Sequence, residues 1–173
     1  WCLTRLGLCV LPWRLLAGPY SGRPKVKSSY DYLGTTVTDG LRWTKHVERV
    51  IGVAERRSAD LLWVCRSDRG MRPRTSKLLW NSLVRPVLEF SSELWSGQIP
   101  KYLADKAERV QMVFLRGTLG LRRNGSGVSD EVVRAEMGAE PLSSRWTKLM
   151  AGFWYRALTA KPGRLLRDVL VFR

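Results

Sequence analysis

From residue 44 onward, apolar residues recur every three or four positions, and each run is stopped by a proline or a glycine-containing stretch. Such a period buries one face of a helix, and several such runs in succession must pack those faces on one another. Val47, Val50, Ile51, Ala54, Leu61, Leu62 and Cys65 share one face of a helix of about 21 residues, some 30 Å long. Thr44 is placed to cap it, and Lys45, Glu48, Arg49, Arg56 and Arg57 lie opposite. Residues 67–73 break the run, and Pro73 suits the first turn of a second helix. There Leu79, Leu83, Val87, Phe90 and Leu94 form the expected inward stripe, and Pro86 divides the helix after Arg85. Residues 98–100 open a third helix with Leu103, Ala107, Val110, Phe114 and Gly117 inward. After a loop at 122–127, Ser129 caps a short helix to Met137. Pro141 then opens a last long one with Trp146, Leu149, Met150, Phe153 and Ala157 inward.

The N-terminal part follows other rules. Residues 1–29 mix apolar residues with Pro12, Gly18, Pro19, Gly22 and Pro24, which favours short strands and turns. Residues 30–37 are β-branched and aromatic up to the Asp39-Gly40 turn signal, and read as a strand forming one arm of a hairpin. The expected fold is mainly α: short N-terminal β-strands or a hairpin, then a helical bundle and C-terminal helices. The expected divisions are 1–39, 40–121 and 122–173. Residues 6–17 have the apolarity of a signal-peptide core, but Pro12 and Arg14 interrupt them and the run is too short to span a bilayer. No membrane partner is expected. Trp1 is no initiator and the first methionine is Met71, so the chain reads as a fragment or a processed product.

Charge narrows the class of partner. Lys and Arg number 30 against 15 Asp and Glu, a formal net charge of +15, and 22 of the cations are Arg. The excess is spread as +3 over residues 1–40 (5 minus 2), +5 over 41–100 (11 minus 6) and +7 over 101–173 (14 minus 7). A globular chain so basic meets polyanions, since each phosphate neutralised releases a counterion; the competing origin is Arg-favouring codon bias. Three Cys (2, 9 and 65) and one His exclude a disulfide framework or a zinc site of ordinary spacing. Of the eight Trp, Trp43, Trp95 and Trp146 fall on apolar stripes or beside caps and are expected in the core. Trp63, Trp80 and Trp154 lie at the stripe margins and are expected at a surface. His46 reads as a packed or capping residue. The pairs Glu89/Glu93 and Glu136/Glu140 read as solvated or ion-paired, since neither has a third ligand nearby in sequence.

Several motifs in order resemble one family. Tyr32-Leu33-Gly34, then Leu41-Arg42-Trp43 and His46, resemble the segment after the active site of non-LTR retrotransposon (LINE-type) reverse transcriptases. The stretch Leu83-Val84-Arg85-Pro86 through Phe90 to Trp95 resembles the long thumb helix of that family. Glu108-Arg109-Val110-Gln111 with Gly117 and Gly120 resembles the next helix, and Glu136-Met137-Gly138 with Pro141-Leu142 resembles the closing helical pair. Upstream, Gly7-Leu8 through Pro12 and Arg14 is similar to motif D, with Leu11 where the family has Asn and Arg14 where it has Lys. The likeness covers roughly residues 1–160.

The resemblance implies the last strands of a palm at 1–39, a thumb bundle at 40–121 and a helical connector at 122–173. It implies that Tyr32, Leu33 and Gly34 form a primer grip, where glycine lets backbone approach the primer end. Arg42, Lys45, Arg72, Arg74, Lys77 and Arg85 are the candidate phosphate contacts on the thumb, and Arg122-Arg123 ahead of a Gly-Ser-Gly loop form another. Arg14 can keep only a charge-neutralising role, because Arg stays protonated and is a poor proton donor. The palm carboxylates that hold two Mg²⁺ ions in the complete polymerase fall upstream of Trp1 in this likeness, so catalytic and metal residues are expected to be absent from the chain, which carries no cofactor of its own. Expected partners are RNA template, RNA–DNA duplex and the palm and fingers of the same polyprotein, in the nucleus or cytoplasm. Two other readings stay open: a standalone basic helical module that binds RNA or DNA, and a non-functional retroelement remnant.

Overall fold

The computed structural model describes residues 28–38, 40–67, 70–121, 127–161, 163–164 and 167–168. A two-stranded antiparallel hairpin, β1 (Ser29–Tyr32) and β2 (Thr35–Thr38), comes first, in register from Ser29 opposite Thr38 to Tyr32 opposite Thr35. Among the described residues seven helices follow: α1 (Thr44–Ser67), α2 (Pro73–Leu83), α3 (Arg85–Glu89), α4 (Ser92–Trp95), α5 (Lys101–Thr118), α6 (Asp130–Met137) and α7 (Leu142–Thr159). The mainly helical class with a short leading hairpin is as expected. One boundary differs, since residues 30–37 hold most of both arms of the hairpin instead of one. The reason is local: Leu33 and Gly34 both take positive φ (47° and 83°), as a two-residue type I′ turn requires.

Prolines set the helix starts. Pro73 stands at the first position of α2, Pro100 and Pro141 cap α5 and α7, and Pro86 sits in the first turn of α3 after a break at Val84. Ser129 accepts from the Val132 N–H at 3.4 Å and so caps α6.

The core lies between α1 and the helices laid across it. On α1 the buried stripe is His46, Val47, Val50, Ile51, Ala54, Ser58, Leu61 and Cys65, and on α5 it includes Leu103, Ala107, Val110, Phe114 and Leu115. At their contact α1 and α5 run in the same direction: Glu55 faces Lys106, and three turns on Arg66 reaches the Gly117 carbonyl. Gly117 permits the close approach, because a Cβ there would sit 2.6 Å from Leu62 Cδ2.

The second stripe is corrected by one position. The buried line through α2, α3 and α4 is Ser76, Trp80, Val84, Leu88, Ser92 and Trp95. Leu83, Phe90 and Leu94 are exposed instead, and Leu79 and Val87 are half-buried. Trp80, expected at a surface, is 1% exposed and stacks on Phe114 at 4.8 Å between ring centroids. Trp63 and Trp154 are exposed, and Trp95 and Trp146 are buried, as their positions imply.

Two indoles hold the broken region together. Trp95 and Trp146 meet edge-to-face at 5.0 Å. Trp95 Nε1 donates to the Phe90 carbonyl (2.9 Å), and Trp146 Nε1 donates to the Leu88 carbonyl (3.1 Å). These oxygens belong to the end of α3, where a short helix leaves its last carbonyls without internal partners.

Trp80→Ala is expected to cost about 3–5 kcal/mol, the range for emptying a buried aromatic site. Trp63→Ala, at a position 71% exposed, should stay within about 0.5 kcal/mol of the parent. Urea melts of the two variants check both values together.

Candidate nucleic-acid interface

The hairpin is seated on a corner of the helical body by four contacts. The Thr36 N–H donates to His46 Nδ1 at 3.2 Å, and Thr35 Oγ1 lies 3.0 Å from Ser91 Oγ. Ser91 takes a left-handed conformation (φ 55°) between α3 and α4, which turns the chain beside the hairpin. The Arg49 guanidinium donates to the Gly34 carbonyl. A Cβ on Gly34 would lie 3.4 Å from the Phe90 ring, so the turn and that ring are in contact. The tip itself stays open, with Tyr32 and Gly34 exposed and Leu33 80% exposed.

His46 is fully buried under this seat, edge-on to Trp43 at 6.2 Å and near Phe90 at 6.3 Å. Burial, and next the charge of Arg49, lower its pKa from the ordinary 6.5, against weaker opposing pulls from the Phe90 backbone and Asp31. Because Nδ1 accepts a hydrogen bond, the neutral ring carries its proton on Nε2.

Between the hairpin tip, α1 and α2–α3 runs a groove of about 330 Å³. Gly34, Arg49 and Arg57 stand along it, and Val53, Leu83 and Phe90 supply apolar walls. The expected phosphate contacts divide around it. Arg42 and Lys45 are exposed at the hairpin end of α1. Arg72 and Arg74 are exposed too, but they belong to the far end, since the Met71 N–H bonds the Cys65 carbonyl there. The length of α1 separates the two pairs by roughly 30 Å. Lys77 donates to the Gly138 carbonyl at 2.7 Å, and Arg85 pairs with Glu89 (3.4 Å) and donates to Asn81 Oδ1 (3.1 Å). Both of these cations are engaged inside the fold. Arg14, Arg122 and Arg123 lie outside the described residues.

The helical period puts Arg49, Arg56 and Arg57 on the outer face of α1 and does not mark them for the site. The signal was there for a basic face, but Arg49 folding back onto Gly34 is a tertiary event with no local mark. The acidic pairs are ion-paired in part: Glu89 accepts a hydrogen bond from Arg145 beside the Arg85 contact, and Glu140 meets Lys148 at 2.6 Å. Among the described residues no three His, Cys, Asp or Glu side chains converge to hold a metal ion. No described helix is long and apolar enough to cross a membrane.

The chain is 30% identical over 130 residues to a 115 kDa protein in the type-1 retrotransposable element R1DM of Drosophila melanogaster. The match takes in 71% of this chain and 12% of that protein's length. This similarity supports a retroelement-derived chain. No protein-family model matches it, and no solved structure does.

The His46 contact has a pH signature. A folded-state pKa below 6.5 means that, in the window just below pH 6.5, the unfolded chain binds more protons than the folded one. Stability is then full above that value and falls as pH drops through the folded pKa, where the ring must charge beside Arg49 and give up the Thr36 N–H. Thermal melts between pH 7.5 and 5 should show a falling Tm. His46→Asn, whose amide oxygen can accept the same N–H without titrating, should start lower and lose most of this slope.

Proposed function

We propose that this chain is the primer-grip and thumb portion of the RNA-directed DNA polymerase of a non-LTR retrotransposon, and that it holds primer–template duplex without adding nucleotides by itself. The observation that carries this reading is the hairpin tip. Tyr32, Leu33 and Gly34 stand open to solvent while Arg49 and the Phe90–Ser91 corner fix the turn against a basic helix. A duplex laid there would have its primer end at the tip and its backbone along Arg42, Lys45, Arg56 and Arg57, contacts that position without reading sequence. Collinear motifs and the similarity to a retrotransposable-element protein support the same reading.

The apolar wall formed by Leu83, Phe90 and Leu94 fits a chain that packs against palm and fingers elsewhere in the same polyprotein. In the complete polymerase the palm carboxylates would hold the two Mg²⁺ ions, with the reaction taking place on RNA template in the nucleus or cytoplasm.

The test is equilibrium binding of the 173-residue chain to an RNA–DNA hybrid over a salt series. The expected result is a log–log slope of magnitude about 2 or more, with little difference between unrelated sequences. The double variant Arg42→Ala/Lys45→Ala should weaken all sequences alike and reduce the slope by about 2. A parental slope showing fewer than two phosphates neutralised would overturn duplex binding.

A further inference from the structure

On the other side of α1 lies a larger groove that the hairpin does not touch. At 100° per residue, Arg49, Val50, Val53 and Arg57 flank one side of the buried stripe of α1, and Glu55, Ser58, Ala59, Leu62 and Arg66 flank the other. The second set faces Lys106, Arg109, Val110 and Val113 of α5 across a groove of about 570 Å³, a volume in the range that holds small ligands. Ser58 and Ala59 are small, which keeps the groove open where two parallel helices would otherwise close it.

Its walls combine an aromatic face with positive charge. Trp63, 71% exposed, is the most exposed tryptophan among the described residues. Burial would be the ordinary fate of a side chain with so much apolar area. Arg109 makes no hydrogen bond or ion pair among the described residues and is exposed. Lys106 is only loosely matched, 4.0 Å from Glu55 with both side chains 46% exposed. At the far end Arg66 donates to the Gly117 carbonyl (3.3 and 3.1 Å), and Arg116 binds Asp130 (2.6 Å), so these two brace the groove. The groove continues past them to Gly120 and Leu121.

We infer that the α1–α5 groove is a binding site for unpaired nucleic acid, with a base stacked on Trp63 and the adjoining phosphates held by Arg109 and Lys106. Stacking demands a base whose face is free, which a paired base inside a duplex does not offer. An exposed indole flanked by cations on a strongly basic chain is the combination by which single strands are held without sequence readout. The site stands on its own wall residues and not on the hairpin or the duplex reading.

The experiment measures binding of the whole 173-residue chain to a short oligouridine and, separately, to an RNA–DNA hybrid. The expected result is that Trp63→Ala weakens oligouridine about tenfold, the loss of one stacked base. Trp63→Phe should keep most of the affinity, Arg109→Ala should weaken it and lower the salt slope by about one, and hybrid binding should change less than twofold. Thermal melts confirm that the exposed substitutions leave the fold intact. Unchanged oligouridine affinity in Trp63→Ala would overturn the inference. So would an equal loss for oligouridine and hybrid, or a polyglutamate peptide that displaces oligouridine and itself depends on Trp63, since the groove would then be a protein-docking site. Trp63-dependent oligouridine binding with no hybrid binding would support this site while removing the duplex one.

Discussion

Two indole-to-carbonyl hydrogen bonds hold the region on which the rest of the site depends. The chain between residues 84 and 92 is broken by Pro86 and turned by a left-handed Ser91, so the carbonyls of Leu88 and Phe90 lack helical partners. An unpaired backbone group in a buried place costs roughly what a lost hydrogen bond costs. Trp146, from α7, and Trp95, from α4, supply the donors and pack against each other. The Phe90–Ser91 corner is thereby held in place, and that corner is where the hairpin sits. The part of the hairpin seat that Phe90 and Ser91 provide thus rests on tryptophans of α4 and α7, beside the contacts from His46 and Arg49 of α1.

Charge inside the body serves the same end. Glu89, mostly buried, gathers Arg85 and Arg145, tying α3 to α7. That hydrogen bond raises the pKa of Arg145 further above its already high ordinary value. Glu108 accepts from Arg134 (3.3 Å) and from the Ser143 backbone N–H (3.1 Å), so one carboxylate joins α5, α6 and the first turn of α7, where the helix dipole favours an anion. Carboxylates are thus drawn into the interhelical joints, while many of the cations of α1 face outward. Because Glu89 and Glu108 take Arg85, Arg145 and Arg134 with them, the basic surface follows from the excess of Arg and Lys over acidic residues.

Most helices are legible in the sequence because their periodicity is local: α5 buries every residue that spacing assigns to it and α1 all but the half-buried Leu62, while in α7 Trp146 and Ala157 are buried and Leu149, Met150 and Phe153 half-buried. The exception is informative. In α2–α4 the buried line contains Ser76 and Ser92, which no apolar pattern counts, and it runs through a break that resets the phase. Leu79, Leu83, Val87, Phe90 and Leu94 make the cleaner pattern, yet Leu83, Phe90 and Leu94 are exposed and Leu79 and Val87 only half-buried, and the same shift of phase carries Trp80 into the core. The hairpin shows another limit: its turn needs positive φ at two residues, and Leu33 carries no signal for that. At the site, Tyr32, Leu33, Gly34, Arg42 and Lys45 share one end of the molecule. Lys77 and Arg85 turned out to have partners far along the chain or within the fold, which residue type alone does not reveal.

The reach of Trp146 back to Leu88 also sets a timetable. During synthesis the hairpin and α1 leave the ribosome before α7, so Trp95 can reach the Phe90 carbonyl early while the Leu88 carbonyl waits for Trp146. Helices α1 and α5 draw on local contacts, whereas the Trp146 hydrogen bond to Leu88 closes a loop of 58 residues. Arrival of α7 is then the step that completes the bracing of the corner on which the hairpin sits.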